Sequence, residues 1–226
     1  MSKSKRAIPL ALTALIAFFS AVAALAVTNG QTAHAHDDAR HDHAKLTQSE
    51  LALRQDMRRL WEDHIVWTRL AIISLTTDAP DTEATVGRLL RNQTDIGNAV
   101  KPFYGDAAGD ELTRQLRLHI LIAADVVLAA KAGDEAKLAD AQARWQQNAD
   151  DIAGVLASVN PRHWPLDQMK AEMRRHLDLT TQEAVARIQG NWDADVAAYD
   201  EIHDHILHMS DLLSTGIVKQ FPKRFR

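Results

Sequence analysis

The residue type best suited to chemistry in this sequence is histidine, which recurs on the apolar faces of separate helical segments. Histidines of this kind stand at four positions, His64, His119, His176 and His203. Each lies among apolar residues spaced three and four apart, the spacing of one helix face. Neutral imidazole binds zinc, copper and iron through a ring nitrogen. If these segments pack as one bundle, the rings can meet near its middle, so the sequence predicts a buried histidine site for a divalent transition metal (Zn, Cu or Fe).

Other polar residues on the predicted helices could support such a site, as further ligands or as partners of the imidazoles. They are Asn92, Asp95, Asn148, Asp151 and Glu183. The alternative is that each histidine is an ordinary core or half-buried residue, satisfied by a carboxylate, a carbonyl or water. The sequence contains neither Glu-x-x-His nor His-Glu-x-x-His. Ferritin-like di-iron proteins and zincin proteases are therefore disfavoured.

Two further groups of histidines could also hold a metal ion. His205 and His208, with Glu201, share one helix face, and the alternative there is a solvated charged surface. The second group lies in a His/Asp-rich leader, which could bind Cu²⁺, Ni²⁺ or Zn²⁺ loosely or be a solvated tail without a ligand. Its histidines are His36, His41 and His43.

Trp61, Trp67 and Arg69 lie close to the first helical histidine. Tryptophan and arginine are common anchors of ligands and protein partners, and the alternative for these three is core packing with a salt bridge.

The chain contains no cysteine, so thiolate metal sites and cysteine nucleophiles are excluded. It also lacks a nucleophile elbow, a P-loop and a dinucleotide glycine fingerprint. These absences favour a binding or interaction protein over an enzyme.

The apolar periodicity and the capping signals predict that the histidines lie on an all-α scaffold. The predicted helices span residues 48–76, 82–100, 110–132, 135–159, 166–189 and 192–220. Because the loops between them are short, consecutive helices should be antiparallel neighbours. We therefore expect an antiparallel bundle of about six helices, four of them long, with the shorter second helix packed beside a four-helix core.

The first 35 residues have the features of an export signal: a basic start, an uncharged apolar run over 7–27 and an Ala-His-Ala cleavage signature at 33–35. An uncleaved membrane anchor is the alternative, since the apolar run is long enough to span a bilayer. Residues 36–46 form the polar leader, and residues 47–226 form the helical domain. The formal net charge of −4 and the lack of a basic stripe argue against nucleic-acid binding. The domain should lie outside the cytoplasm, with the membrane contacted only through the N-terminal segment.

Several motifs carry a resemblance to known proteins. They are Trp-Glu-Asp-His-x-x-Trp-Thr-Arg at 61–69, Asn-Gln-x-Asp at 92–95, Lys-Pro-Phe-Tyr-Gly at 101–105 and Lys-Gln-Phe-Pro at 219–222. With them, most of residues 47–226 resembles a family of exported, all-helical bacterial proteins of unknown function. Some relatives in that family carry enzyme names such as glycosyltransferase or kinase, but this sequence has no nucleotide or sugar-donor motif. The resemblance implies export and a helical fold, and it implies no catalytic residue.

The sequence as a whole predicts an extracytoplasmic helical-bundle binding protein with a buried, polar, histidine-containing site, for which a divalent metal is the candidate ligand. The alternative is a non-catalytic structural or interaction module of the cell envelope. In that case the partner would be an envelope protein or a second copy of the chain.

Overall fold

The computed structural model describes residues 46–226, which form six long α-helices and a short 3₁₀ helix. The elements are α1 (Gln48–Thr77), α2 (Thr82–Tyr104), α3 (Asp106–Ala132), α4 (Glu135–Val159), α5 (Leu166–Gln189), α6 (Trp192–Gln220) and the 3₁₀ helix Pro222–Phe225. No strand occurs within these residues. The predicted all-α class is confirmed.

The expected export signal or anchor, and the leader histidines His36, His41 and His43, lie outside the described residues. Within residues 46–226, none of the helices has the length and apolarity needed to cross a membrane.

The six helices close into a ring. Each packs against its neighbours in sequence, and α6 returns to pack against α1. Because the connections are short, α1, α3 and α5 run in one direction and α2, α4 and α6 in the other. Helices α1, α3 and α5 also contact one another across the centre. This ring differs from the expected four-helix core with a companion, since every helix has between 23 and 30 residues and takes a full place in it.

Local capping explains five of the helix boundaries. The side chains of Thr47, Asp134 and Asn191 each accept a hydrogen bond from a first-turn backbone amide of α1, α4 and α6. Gly133 and Gly190 end α3 and α5 in the left-handed conformation, which glycine adopts without steric cost. Five of the six starts and the last four ends agree with the boundaries expected from sequence.

The end of α2 is the main departure from the expected boundaries. This helix continues through Pro102 to Tyr104, although its end was expected at Val100. Pro102 lies in the final turn, where the missing amide costs only one hydrogen bond before Gly105 ends the helix. The next helix starts at once at Asp106, so the connection is a single residue.

The α4–α5 linker packs tightly against α6 at Gly216. The indole of Trp164, which is 1% exposed, lies directly against this glycine. The side-chain amide of Asn160 donates a hydrogen bond to the Gly216 carbonyl at 3.0 Å. A Cβ atom at position 216 would overlap the indole ring, whereas one at Gly154 of α4 would meet nothing within 4 Å.

We expect Gly216→Ala and Gly154→Ala to change stability in opposite directions. The first forces the Trp164 ring to move and should cost about 1–3 kcal/mol, as overpacked cores do. The second lowers the entropy of the unfolded chain and should add about 0.5–1 kcal/mol. Urea unfolding of both variants measures the difference. Equal stability of the two would show that the Trp164 indole does not pack on α6 as described.

Candidate buried histidine site

Four histidine rings lie together in the middle of the ring of helices. His176 of α5 is at the centre of the group. Its ring centroid is 5.6 Å from that of His64 on α1, 6.1 Å from that of His119 on α3 and 6.1 Å from that of His205 on α6. All four residues are at most 5% exposed. Three of the four predicted histidines are therefore neighbours, and they come from the three helices that meet at the centre.

His203, the fourth predicted histidine, lies outside this group, and His205 takes the expected place. The His203 side chain is 30% exposed, and its Nε2 lies 3.2 Å from Glu62 Oε1 on α1. Two helical positions correspond to a rotation of about 200°, so the two side chains leave α6 on opposite sides. The interior face of α6 contains Ile202, His205 and Met209, whose spacing of three and four could have identified His205 from sequence.

The hydrogen bonds of His119 use both of its ring nitrogens. The Trp145 indole donates to Nε2 at 3.1 Å, and Nδ1 lies 2.8 Å from the Asn148 side-chain oxygen. Because an indole can only donate, Nε2 accepts, and Nδ1 therefore carries the proton and donates to Asn148. Burial lowers the pKa of His119 to about 4. His119 is thus a neutral histidine without a vacant nitrogen.

His64 is held by a pair of buried amides on α2. The Gln93 side-chain nitrogen lies 3.2 Å from His64 Nδ1 and also donates to the Leu89 carbonyl at 2.9 Å. The adjacent Asn92 amide donates to the Leu60 carbonyl of α1 at 2.9 Å. Burial, with a smaller contribution from His119, lowers the pKa of His64 to about 3. The polar pair on α2 therefore fixes α1 beside the site.

His176 and His205 differ from the other two because each keeps a buried ring nitrogen without a hydrogen-bond partner. These atoms are Nδ1 of His176 and Nε2 of His205. Burial lowers the pKa of both rings, and for His176 the three surrounding histidines lower it further. A buried polar atom left unpaired costs about 1–3 kcal/mol. Two such atoms on neighbouring rings indicate a place where a bound species would be stabilised.

The spacing of the rings is compatible with metal binding, although no metal geometry is preformed. Within residues 46–226, no three His, Asp or Glu side chains are already arranged around a common point. Two imidazoles that share a metal through bonds of about 2.1 Å have ring centres roughly 5–6 Å apart, close to the 5.6 Å and 6.1 Å measured around His176. His64, His176 and His205 would have to rotate to form a site, and His119 would have to give up a hydrogen bond.

A line of titratable side chains connects the buried rings with the surface between α5 and α6. Glu172 Oε2 lies 3.8 Å from His205 Nδ1, and Glu172 Oε1 lies 3.6 Å from His208 Nε2. The side chain of His208 is 62% exposed. Sequence reasoning paired His205 and His208 with Glu201, which is exposed, and missed Glu172 on the neighbouring helix. No local spacing could have identified a contact between two helices.

The residues predicted to support the site are divided between the interior and the surface. Asn92 and Asn148 are buried in the hydrogen-bond networks of His64 and His119. Asp95 is exposed, and so is Asp151, which accepts a hydrogen bond from Gln147. The roles of Gln93 and Trp145 could not be predicted from spacing along the chain, since each depends on a partner in another helix.

Glu183 belongs to a separate charged cluster where α1, α5 and α6 meet. Arg69 Nη1 lies 2.8 Å from Glu183 Oε1 and 3.0 Å from Asp195 Oδ1, and Arg187 Nη1 lies 3.0 Å from Asp195 Oδ2. Glu183 and Asp195 are each 1% exposed. Burial raises the pKa of Glu183 to about 7 against the opposing effect of Arg69. Arg69 therefore has an intramolecular role in the described structure.

The two tryptophans predicted to contact a ligand or partner have different environments. Trp61 is 5% exposed and packs edge-on against His64, with 5.7 Å between the ring centroids. Its indole nitrogen is buried without a hydrogen-bond partner. Trp67 is partly buried, and the guanidinium of Arg88 lies 5.2 Å from its ring centroid. Trp61 therefore belongs to the wall of the histidine site, and Trp67 to a surface contact.

The buried histidines predict a loss of stability in mild acid. In the unfolded chain their pKa is about 6.5, whereas in the folded protein the pKa values of His64 and His119 are about 3 and 4 and that of His176 is well below its ordinary value. Below pH 6.5 the unfolded state binds more protons, so stability is fully present above that pH and falls as the pH drops toward 4. Each ring contributes about 1.4 kcal/mol per pH unit in this window. Urea unfolding at pH 7.5, 6.5 and 5.5 measures the slope.

Glu183 predicts a smaller effect of the opposite sign. Its pKa rises to about 7 in the folded protein, so between about pH 4.5 and 7 the folded state holds the extra proton, and this contribution is lost as the pH rises. Glu183→Gln removes that proton and should make the acid loss of stability steeper between pH 7 and 5. A slope unchanged from the parent would show that Glu183 is ionised throughout this range. Asp167→Asn, at an exposed position on the same helix, is the matched control.

No protein-family model matches the chain, and comparisons with curated proteins and with solved structures find no match. The resemblance to exported all-helical bacterial proteins stays a prediction.

Proposed function

We propose that this chain is an extracytoplasmic binding protein whose ligand site is the histidine group around His176, with a divalent transition metal as the ligand. The observation that carries the proposal is the pair of unpartnered nitrogens on two buried, neighbouring rings, Nδ1 of His176 and Nε2 of His205. A metal ion held between helices would use lone pairs that the folded chain leaves unsatisfied.

The protonation state of the rings supports a metal over an anion. Burial keeps the pKa of His64 and of His176 well below 7, so at neutral pH these rings offer lone pairs and carry no charge. Metal binding then requires no proton release from the histidines. An anion would find no positive charge on them. Neutral imidazole nitrogen is a suitable ligand for zinc, copper and iron.

The contact between α5 and α6 supports an access route to this site. Glu172 lies between His205 and the exposed His208. A carboxylate at that point could attract a cation and pass it inward to His205. The extracytoplasmic location is part of the proposal and rests on the basic start, the apolar run and the cleavage signature of residues 1–35.

Metal content of the purified full chain after loading with zinc, copper or iron and dialysis tests this function. We expect one tightly held metal ion per chain, and a loss of affinity of at least about tenfold in His176→Ala or His205→Ala. His203→Ala is the matched control, since this histidine lies on the opposite side of α6. It should bind metal as the parent does.

A second comparison separates the buried site from the leader. Replacing the three leader histidines together with alanine should leave the tightly bound metal in place. Metal lost with the leader histidines, or no metal retained by the parent after loading, would contradict the proposal. Circular dichroism of each variant shows whether the loss of metal reflects a loss of fold.

The alternative function, an interaction module of the cell envelope, is favoured by one surface feature. Leu118, Leu121 and Leu128 lie along one side of α3 and are 39%, 49% and 46% exposed. Their spacing places them on a single face of the helix. Crosslinking to a partner or to a second copy, lost in Leu121→Ser and unaffected by His176→Ala, would favour this function.

A further inference from the structure

An apolar cavity of about 50 Å³ lies one to three helical turns beyond the histidines, toward the ends of α1, α3 and α5. Side chains of α1, α2, α3, α4 and α5 line it, and eight of its twenty lining residues are partly exposed. Five alanines, shorter than the residues usual in a core, contribute to its walls, and they are Ala71, Ala123, Ala124, Ala130 and Ala184. The histidine rings do not line it, so the cavity is distinct from the site described above.

Two threonines of the lining turn their polar atoms away from this space. Thr68 donates its hydroxyl proton to the His64 carbonyl at 2.7 Å, and Thr180 donates to the His176 carbonyl at 2.8 Å. Both bonds lie within the residue's own helix, one turn back. Each hydroxyl is therefore already satisfied by the backbone.

Trp145, the largest side chain of the lining, also has its polar atom satisfied away from the cavity. The indole N–H of Trp145 donates to His119 at 3.1 Å, so its hydrogen-bonding capacity is used in the histidine group. The remaining polar lining residues, Gln142 and Thr181, are only partly buried. A buried water needs two to four polar partners, and these walls provide none in the interior. We therefore expect the inner part of the cavity to be dry.

The volume limits what the cavity can hold. A site for one water needs about 10–15 Å³, and a cavity of about 150 Å³ accepts benzene. A space of about 50 Å³ is therefore suited to roughly four heavy atoms. We propose that this cavity is a binding site for a small apolar molecule, of the size of xenon or of a short alkyl group. The cavity lining contains none of the four histidines, and the test below does not require a bound metal.

Xenon binding to the full chain, measured by ¹²⁹Xe NMR, tests the proposal. We expect saturable binding at one site in the parent protein. Ala184→Leu should lower the affinity at least tenfold, because the added carbon atoms fill the space that xenon would take. Gly154→Ala is the matched control, since position 154 faces open space on α4. It should leave xenon binding unchanged.

Two outcomes would overturn the proposal. One is the absence of saturable xenon binding in the parent. The other is equal binding by the parent and Ala184→Leu, which would place xenon elsewhere. Ala123→Val fills the cavity from α3 and provides a second variant should Ala184→Leu fail to fold. Both variants should also unfold at a temperature no lower than the parent if the cavity is empty in the absence of ligand, and a large decrease in both would show that no space was available.

Discussion

The structure depends on burying uncharged imidazole rings where α1, α3, α5 and α6 meet. Removing a histidine from water is favourable only if it stays neutral and its nitrogens find partners. Residues of α2 and α4 provide such partners for the histidines of α1 and α3. The Trp145 indole and the Asn148 amide satisfy His119, and Gln93 contacts His64. These contacts link α3 to α4 and α1 to α2, so the polar interior also determines which helices are adjacent.

The histidines of α5 and α6 differ, because one ring nitrogen of each has no hydrogen-bond partner. His176 and His205 come from α5 and α6, and each leaves one nitrogen unpaired. A protein selected for packing alone would gain by placing apolar side chains at both positions, because a partly satisfied polar interior is less stable than an apolar one. These two unpaired nitrogens are the reason for proposing that a ligand binds on the α5–α6 side. The line through Glu172 to the exposed His208 lies on that same side.

The sequence was sufficient for the local features and insufficient for the contacts between helices. The capping residues Thr47, Asp134 and Asn191 act within a single turn, so the boundaries they set could be predicted. His64, His119 and His176 could be predicted because each lies on an apolar stripe.

The error at His203 has a physical origin. Helix α6 packs against both α5 and α1, and a helix with two partners buries a broad face, so several apolar stripes fit its sequence equally well. The roles of Gln93, Trp145 and Glu172 depend on partners in other helices, which no spacing within one helix reveals.

The sizes of the side chains along the inner helix faces explain why the apolar cavity lies beside the histidine group. Bulky, flat rings of His119, His176 and Trp145 set the separation of α3, α4 and α5 in the middle of the bundle. A straight helix carries that separation onward for several turns. Where the side chains on the inner faces become Ala123, Ala130 and Ala184, the helices cannot approach far enough to close the gap, and a cavity results. The rings that form the histidine group also space the helices that line the cavity. A change in the size of one of these rings should therefore change the volume of the cavity.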